Sequence, residues 1–330
     1  MNLQISLAAI LIFSSLLTYA ALPVMIRKLI KRGIVGKDMN KYDKPEVAEM
    51  GGISILLGFS LGIITAIFIS TYLGYIAINY TLLFAAFLTI FLVGFIGIID
   101  DLIGWRRGIR QWQHALFPLF AALPLMAVQA GTDFFVLPFI GPVNIGIFYS
   151  LLLVPIGITG ASNAFNMLAG FNGLEAGLGA LIISTLTAIA LLTGKIEAAI
   201  IGVALLGALI AFLRFNWYPA KVFGGDSLTL MIGASIATIS ILGNMEKIGA
   251  AIILLYWIEF IFKARHKFQS ECFGIPNKHN ILSPDPKGGS LTHFVMSLRP
   301  MTEKQVVYVF LGIQFIICLA VFGMFYFKFF

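Results

Sequence analysis

Ten stretches of the chain are almost continuously apolar, and each is as long as a helix must be to cross a bilayer. Hydrocarbon about 30 Å thick takes roughly 20 helical residues. The runs fall at 3–26, 51–72, 78–99, 113–130, 144–161, 176–194, 196–213, 227–243, 247–263 and 305–327. The pattern predicts an all-α integral membrane protein of about ten transmembrane helices, organised as one polytopic domain over 1–330. The first run is longer than a signal-peptide core and no small-residue cleavage pattern follows it, so it is expected to stay as a helix.

The polar segments between the runs are not alike. Lys and Arg in short loops stay on the cytoplasmic side of a membrane. Numbering the loops alternately puts nineteen cations on one side: seven after the first span, three (Arg106, Arg107, Arg110) after the third, Arg214 and Lys221 after the seventh, and seven more after the ninth. Only Lys195, Lys247 and Lys328 fall on the other. An even number of spans would leave both termini outside, with the long polar loops facing the cytoplasm.

Composition narrows the classes. Of 330 residues 59% are hydrophobic and 11% charged, too few charges for the surface of a soluble domain, which carries about a quarter. The net charge of +7 follows from the sided loops and does not call for a nucleic-acid partner. Cys272 and Cys318 give no disulfide framework. No internal repeat marks the duplicated halves common in transporters. An ion-coupled transporter is the alternative class, but it needs polar groups near the bilayer centre, whereas the carboxylates here collect at one face. A working surface on one side of a membrane fits better.

Four polar segments could carry chemistry. The third span ends in GFIGIIDDLIGWRRGIRQWQH, placing Asp100 and Asp101 at a helix C-terminus, where the dipole disfavours anions. They are either a solvated loop start paired with the arginines, or a site that needs carboxylates for a divalent cation or a phosphate. GASNAFNMLAGFNGLEAG brings Asn163, Asn166, Asn172 and Glu175 together among glycines; these are helix caps or neutral oxygen and nitrogen ligands with room for close backbone approach. In RFNWYPAKVFGGDSLTL, Asp226 follows Gly224 and Gly225. It can cap the next helix, and the same helix start can hold a metal bound to an anion. The basic loop ARHKFQSECFGIPNKHNILSPDPKGGS carries His266, Lys278, His279 and Asn280, either against anionic headgroups or against a pyrophosphate. Glu259, inside the ninth run, is a functional candidate or the partner of Lys263 one turn on. Trp105, Trp112, Trp217 and Tyr218 lie at span ends, as interface anchors do.

A DD pair after the third helix, an N-x-x-N-x-x-x-G-x-N-G-L loop, a G-D before a later helix and a His-bearing basic loop before the last one resemble, in that order, the polyprenyl-phosphate N-acetylhexosamine-1-phosphate transferase superfamily. NAFNMLAGFNGLEAG is most similar to the archaeal and eukaryotic dolichyl-phosphate N-acetylglucosamine-1-phosphate transferases; the bacterial phospho-MurNAc-pentapeptide translocases carry Asp where this chain has Ala169 and Asn172. The resemblance spans nearly the whole chain. It implies transfer of N-acetylglucosamine 1-phosphate from UDP-GlcNAc to a polyprenyl or dolichyl phosphate in the bilayer, with another UDP-HexNAc or undecaprenyl phosphate as the alternative. It further implies Mg²⁺, or Mn²⁺, on Asn166 and Asp226. Gly170, Asn172 and the Phe223 ring would receive uridine, and Lys278 and His279 the pyrophosphate or sugar. Asp100 would orient the acceptor phosphate, with Asp101 beside it and Arg110 as the cation after the pair. A homodimer is compatible with the resemblance. A phosphate monoester is mostly dianionic at neutral pH, so positioning should matter more than base catalysis. Direct attack by the lipid phosphate is expected, with an aspartyl-phosphate intermediate as the rival.

Overall fold

The computed structural model describes residues 2–104, 111–132, 134–137 and 141–329. Thirteen helices and three small antiparallel sheets follow in the order α1 (Asn2–Lys31), β1 (Val35–Lys37), β2 (Glu46–Ala48), α2 (Gly52–Phe68), α3 (Tyr80–Gly104), α4 (Gln111–Ala121), α5 (Leu123–Ala127), β3 (Phe134–Leu137), β4 (Gly141–Asn144), α6 (Val154–Met167), α7 (Leu174–Leu192), α8 (Ile196–Asn216), α9 (Asp226–Gly243), α10 (Glu246–Ile252), α11 (Leu254–Arg265), β5 (Ile275–Pro276), β6 (Ile281–Ser283), α12 (Leu291–Leu298), β7 (Met301–Thr302) and α13 (Glu303–Tyr326). Wider π turns extend α2 through Ile69–Leu73 and lead into α6 from Tyr149–Leu153. The protein is an all-α integral membrane protein.

Seven helices, rather than ten, are long and apolar enough to cross a membrane among the described residues: α1, α2 with its extension, α3, α7, α8, α9 and α13. The other three apolar runs fold as interrupted helices. Pro118 lies inside α4, which ends at Ala121, and Pro124 opens α5; a proline removes one backbone donor and crowds the preceding turn. Pro155 opens α6 after the π turn. The run at 247–263 divides at Ile253, whose φ of −92° and ψ of 24° leave the helical region between α10 and α11.

α9 is the centre of the bundle: 94% of its apolar window is buried, against 28% for α1 and 33% for α13. A helix that is apolar all round belongs inside. Small residues let neighbours approach closely. A side chain on Gly233 of α9 would stand 2.4 Å from the Ala161 carbonyl oxygen of α6, and one on Gly207 of α8 would stand 2.5 Å from the Leu11 carbonyl oxygen of α1.

The polar segments form one assembly at one end of this bundle. The β1–β2 hairpin hands the chain to the α8–α9 loop through Phe223 N–H to Ala48 O (2.8 Å) and Gly51 N–H to Phe223 O (2.8 Å). Asn280 of the β5–β6 hairpin accepts from Tyr42 N–H at 2.8 Å, and Asn172 N–H donates to Glu303 at the start of α13 at 2.7 Å. At the opposite end, Glu197 accepts from Asn79 N–H and Tyr149 donates to Glu246. Glu259 is fully buried 3.8 Å from Lys263; it also accepts from Leu291 N–H at 2.7 Å and Ser290 Oγ at 3.2 Å. It therefore pairs with Lys263, and together they fasten the 266–290 segment to α11.

Candidate active site

A cavity of about 200 Å³ opens inside the polar assembly, between the end of α6, the start of α9, the β1–β2 hairpin and the 272–274 segment. Asn166, Gly170, Phe223 and Asp226 all line it. Asn166 arrives on the last turn of α6 and Asp226 on the first of α9, helices that pack side by side through Gly233. The Thr229 hydroxyl, one turn into α9, sits 2.8 Å from Asn166 Oδ1 and 3.3 Å from the Asp226 carbonyl oxygen, tying the two positions together. Asn166 and Asp226 thus share one wall.

Asp101 shapes that wall from behind. Its carboxylate accepts from Asp226 N–H at 2.7 Å, Ser227 N–H at 3.2 Å and Ser227 Oγ at 2.8 Å. The carboxylate at the end of α3 therefore caps the start of α9, where unpaired N–H groups favour an anion. Gly225 is required here: its φ is +74°, and a Cβ would lie 2.5 Å from the Asp101 carboxylate oxygen. Gly225 lets the α3 carboxylate reach the helix start, whereas a Cβ on Gly224 would stand 2.3 Å from the Leu228 side chain. Asp100, next to it, is buried and does not line the cavity.

Several expected site residues lie elsewhere. Asn172 does not line the cavity. It is 2% exposed; its Oδ1 accepts from Ala220 N–H (2.6 Å) and Lys41 Nζ (3.1 Å), and its Nδ2 donates to Asp38 (3.1 Å). Every polar atom of that amide is committed to holding loops together. Asn163 donates back to Thr159 O within α6. Lys278 and His279 are exposed at the tip of the β5–β6 hairpin and do not line the cavity either, because the turn that closes those strands carries them away from it. Arg110, with Arg106 and Arg107, lies outside the described residues. The Tyr218 ring lies beneath two ammonium groups, Lys41 Nζ at 4.7 Å and Lys304 Nζ at 4.6 Å.

Beside Glu175 of the asparagine loop and Phe273 of the basic loop, the cavity gathers residues outside the four motifs. Lys37 ends β1 and Asp38 follows it, Glu49 follows β2, Glu175 opens α7, and Phe273 faces Gly170 from the far wall. Gly170, with φ of +106°, presents its N–H to the Glu175 carboxylate. Burial raises the Glu49 carboxyl above its ordinary range. Asp38 pairs with Lys41, whose Nζ is also 3.8 Å from Glu303. Asp38 stands with Asp43 among the seven cations of the 27–44 segment, and nothing in that pattern singles it out.

A membrane-embedded helical bundle that concentrates amides, carboxylates and one lysine in a single cavity at one end defines a polytopic enzyme of phosphate-bearing substrates. The model of glycosyl transferase family 4 matches residues 83–244. A protein of Saccharolobus solfataricus, provisionally named UDP-N-acetylglucosamine–dolichyl-phosphate N-acetylglucosaminephosphotransferase, is 38% identical over 306 residues, 92% of each chain. The Schizosaccharomyces pombe protein of that name is 29% identical over 347 residues, 89% of this chain and 75% of its own. A phospho-N-acetylmuramoyl-pentapeptide-transferase of Latilactobacillus sakei is 32% identical over 64% of this chain and 66% of its own. The chain belongs to glycosyl transferase family 4.

Proposed function

We propose that the protein transfers N-acetylglucosamine 1-phosphate from UDP-GlcNAc to a polyprenyl phosphate of the dolichyl type, leaving polyprenyl-pyrophosphoryl-GlcNAc in the membrane and releasing UMP. The observation that carries this reading is the meeting of Asn166, Gly170, Phe223 and Asp226, from two separate stretches of sequence, in one cavity. The names of the relatives similar over most of the chain support the same donor and acceptor.

An oxygen of the acceptor phosphate attacks the β-phosphorus of the donor; the bond from that phosphorus to the oxygen bridging the α-phosphorus breaks, and UMP leaves with the electron pair. Both partners are anionic, so positioning and charge compensation dominate. Phe223 offers a ring face to the uracil, and the missing side chain of Gly170 makes room for the Phe273 ring at the cavity wall. Lys37 supplies a cation at the cavity wall, and the Asp101 cap holds the start of α9, hence Asp226, in place. Asp100, buried at the end of α3 and outside the cavity lining, keeps the acceptor-orienting role only as the family resemblance implies it. The donor set suits Mg²⁺: hard oxygens from Asp226 and Asn166 on one wall, few protein ligands, and phosphates from the substrate to complete the shell. When bound, the ion neutralises charge on the transferring phosphates. The nineteen-to-three charge asymmetry supports placing this end of the bundle in the cytoplasm. Purified protein with UDP-GlcNAc, Mg²⁺ and dolichyl phosphate should release UMP; absence of UMP with any acceptor length would overturn the reading.

A further inference from the structure

The segment Cys272–Gly274 forms the cavity wall opposite α6 and α9, with Phe273 as its lining residue. One side of this strap is held by the start of α12: Thr292 Oγ1 donates to Cys272 O at 2.7 Å, and His293 Nε2 lies 3.0 Å from Phe273 O. The other side is held by the Cys272 thiol, which donates to Met167 O at 3.1 Å, and by one amide. Asn40, in the loop between β1 and β2, is wholly buried. Its Nδ2 donates to Gly170 O at 2.8 Å, and its Oδ1 accepts from Gly274 N–H at 3.0 Å. Gly170 and Gly274 flank the point where the Phe273 ring covers Gly170 so closely that a Cβ there would lie 2.5 Å from the ring. Asn40 does not itself line the cavity. It spans two lining segments more than a hundred residues apart in sequence.

We infer that Asn40 is a positioning residue for the nucleotide-sugar cavity, which fixes the distance between the Gly170 loop and the Phe273 strap and so sets affinity for the sugar nucleotide without touching it. An amide suits this place because it donates to one backbone and accepts from the other at once. Neither a hydroxyl of shorter reach nor a carboxylate, which cannot donate, does both. The inference rests on the proposed function for its ligand, but its structural half is independent of it.

The test uses the full-length protein in a Cys318→Ser background, leaving Cys272 as a reporter beside Phe273. Cys272 is buried, its Sγ lies 3.1 Å from Met167 O, and burial pushes its thiol up to about 11, so it should react slowly with a maleimide at neutral pH. Asn40→Ala should speed that alkylation by about tenfold or more, and should raise the KM for UDP-GlcNAc by about tenfold. The kcat and the KM for dolichyl phosphate should stay within about threefold. Phe273→Ala should raise the same KM, and the double variant should be little worse than either single one, because both remove one coupled wall. Unchanged alkylation in Asn40→Ala would overturn the positioning role. Faster alkylation with an unchanged KM, parallel losses in kcat and both KM values, or additive effects in the double variant would each overturn the link to the cavity. If the unsubstituted protein releases no UMP, the proposed function fails instead, and alkylation still decides whether Asn40 holds the strap.

Discussion

Asp226 and Asp101 are one hydrogen bond apart and should fail in different ways when changed. Asp226 opens α9 on the cavity wall beside Asn166. Asp226→Asn or Asn166→Ala should therefore lower kcat on the order of a hundredfold or more, the loss typical of a group acting on developing phosphate charge, while membrane insertion and thermal midpoint stay near those of the parent. Extra Mg²⁺ should not restore Asp226→Asn; ordinary rates across a magnesium titration would remove it from the metal site. Asp101 instead accepts three hydrogen bonds from the start of α9. Asp101→Ala should cost about 1–2 kcal/mol of stability, as the loss of a helix cap does, and should lower activity by misplacing Asp226. Thermal unfolding alongside UMP release separates the two cases, since the first pair loses activity alone and Asp101→Ala loses both. Sequence made Asp101 visible as a polar oddity at a helix C-terminus. It could not show that the carboxylate serves another helix, because that partnership is 125 residues away in the chain.

Helix packing carries the site as much as side chains do. Asn166 and Asp226 are brought together by the α6–α9 contact, and Gly233 sets its closeness, with no room for a Cβ against the Ala161 backbone. Gly233→Ala must push the helices apart, at roughly 1–3 kcal/mol for overpacking. It should lower turnover several-fold although the residue lies nearly two turns from Asp226, and normal turnover with a normal melting curve would show that the contact does not set the site. The α11 pair behaves differently. Glu259→Ala leaves Lys263 buried without its counterion and should destabilise by about 3 kcal/mol or more. Glu259→Gln keeps an acceptor for Leu291 N–H and should be milder, near 1 kcal/mol, with turnover retained. The apolar runs made the helices legible, because hydropathy alone locates a stretch that must leave water. They did not reveal where a run breaks: a hydropathy window sums over the Ile253 kink, the Pro118–Pro124 interruption and the turn before Pro155 as though each were one rod. The asparagine loop was legible as a cluster but not by role, since Asn166 and Asn172 are the same residue type six positions apart, and only tertiary structure sends one to the cavity and the other to the Asp38–Lys41 network.

At the scale of the whole molecule, the count of crossings matters less than which ends of the chain share a face. α1 ends, after 30 residues, where the β1–β2 hairpin begins, and that hairpin is bonded to the α8–α9 loop and to the site. α13 starts at the same place, with Glu303 accepting from Asn172 N–H, and runs 24 residues away from it. Each is long and apolar enough to cross a bilayer without interruption, so both termini must lie on the face opposite the cavity, whichever of the interrupted helices α4–α5, α6 and α10–α11 complete a crossing. The cation asymmetry supports the proposed orientation, with the cavity in the cytoplasm and the termini outside. Single cysteines at Lys221 and Lys278, both exposed beside the site, should react with an impermeant maleimide only in inside-out vesicles. Those at Ala77, Thr193 and Lys328, exposed at the other end, should react only in right-side-out ones. Cys272 and Cys318 are buried and should contribute little background. Labelling of Lys278→Cys and Lys328→Cys from the same side would break the sidedness on which a cytoplasmic sugar-nucleotide site depends, and labelling of Lys221→Cys from outside would invert it.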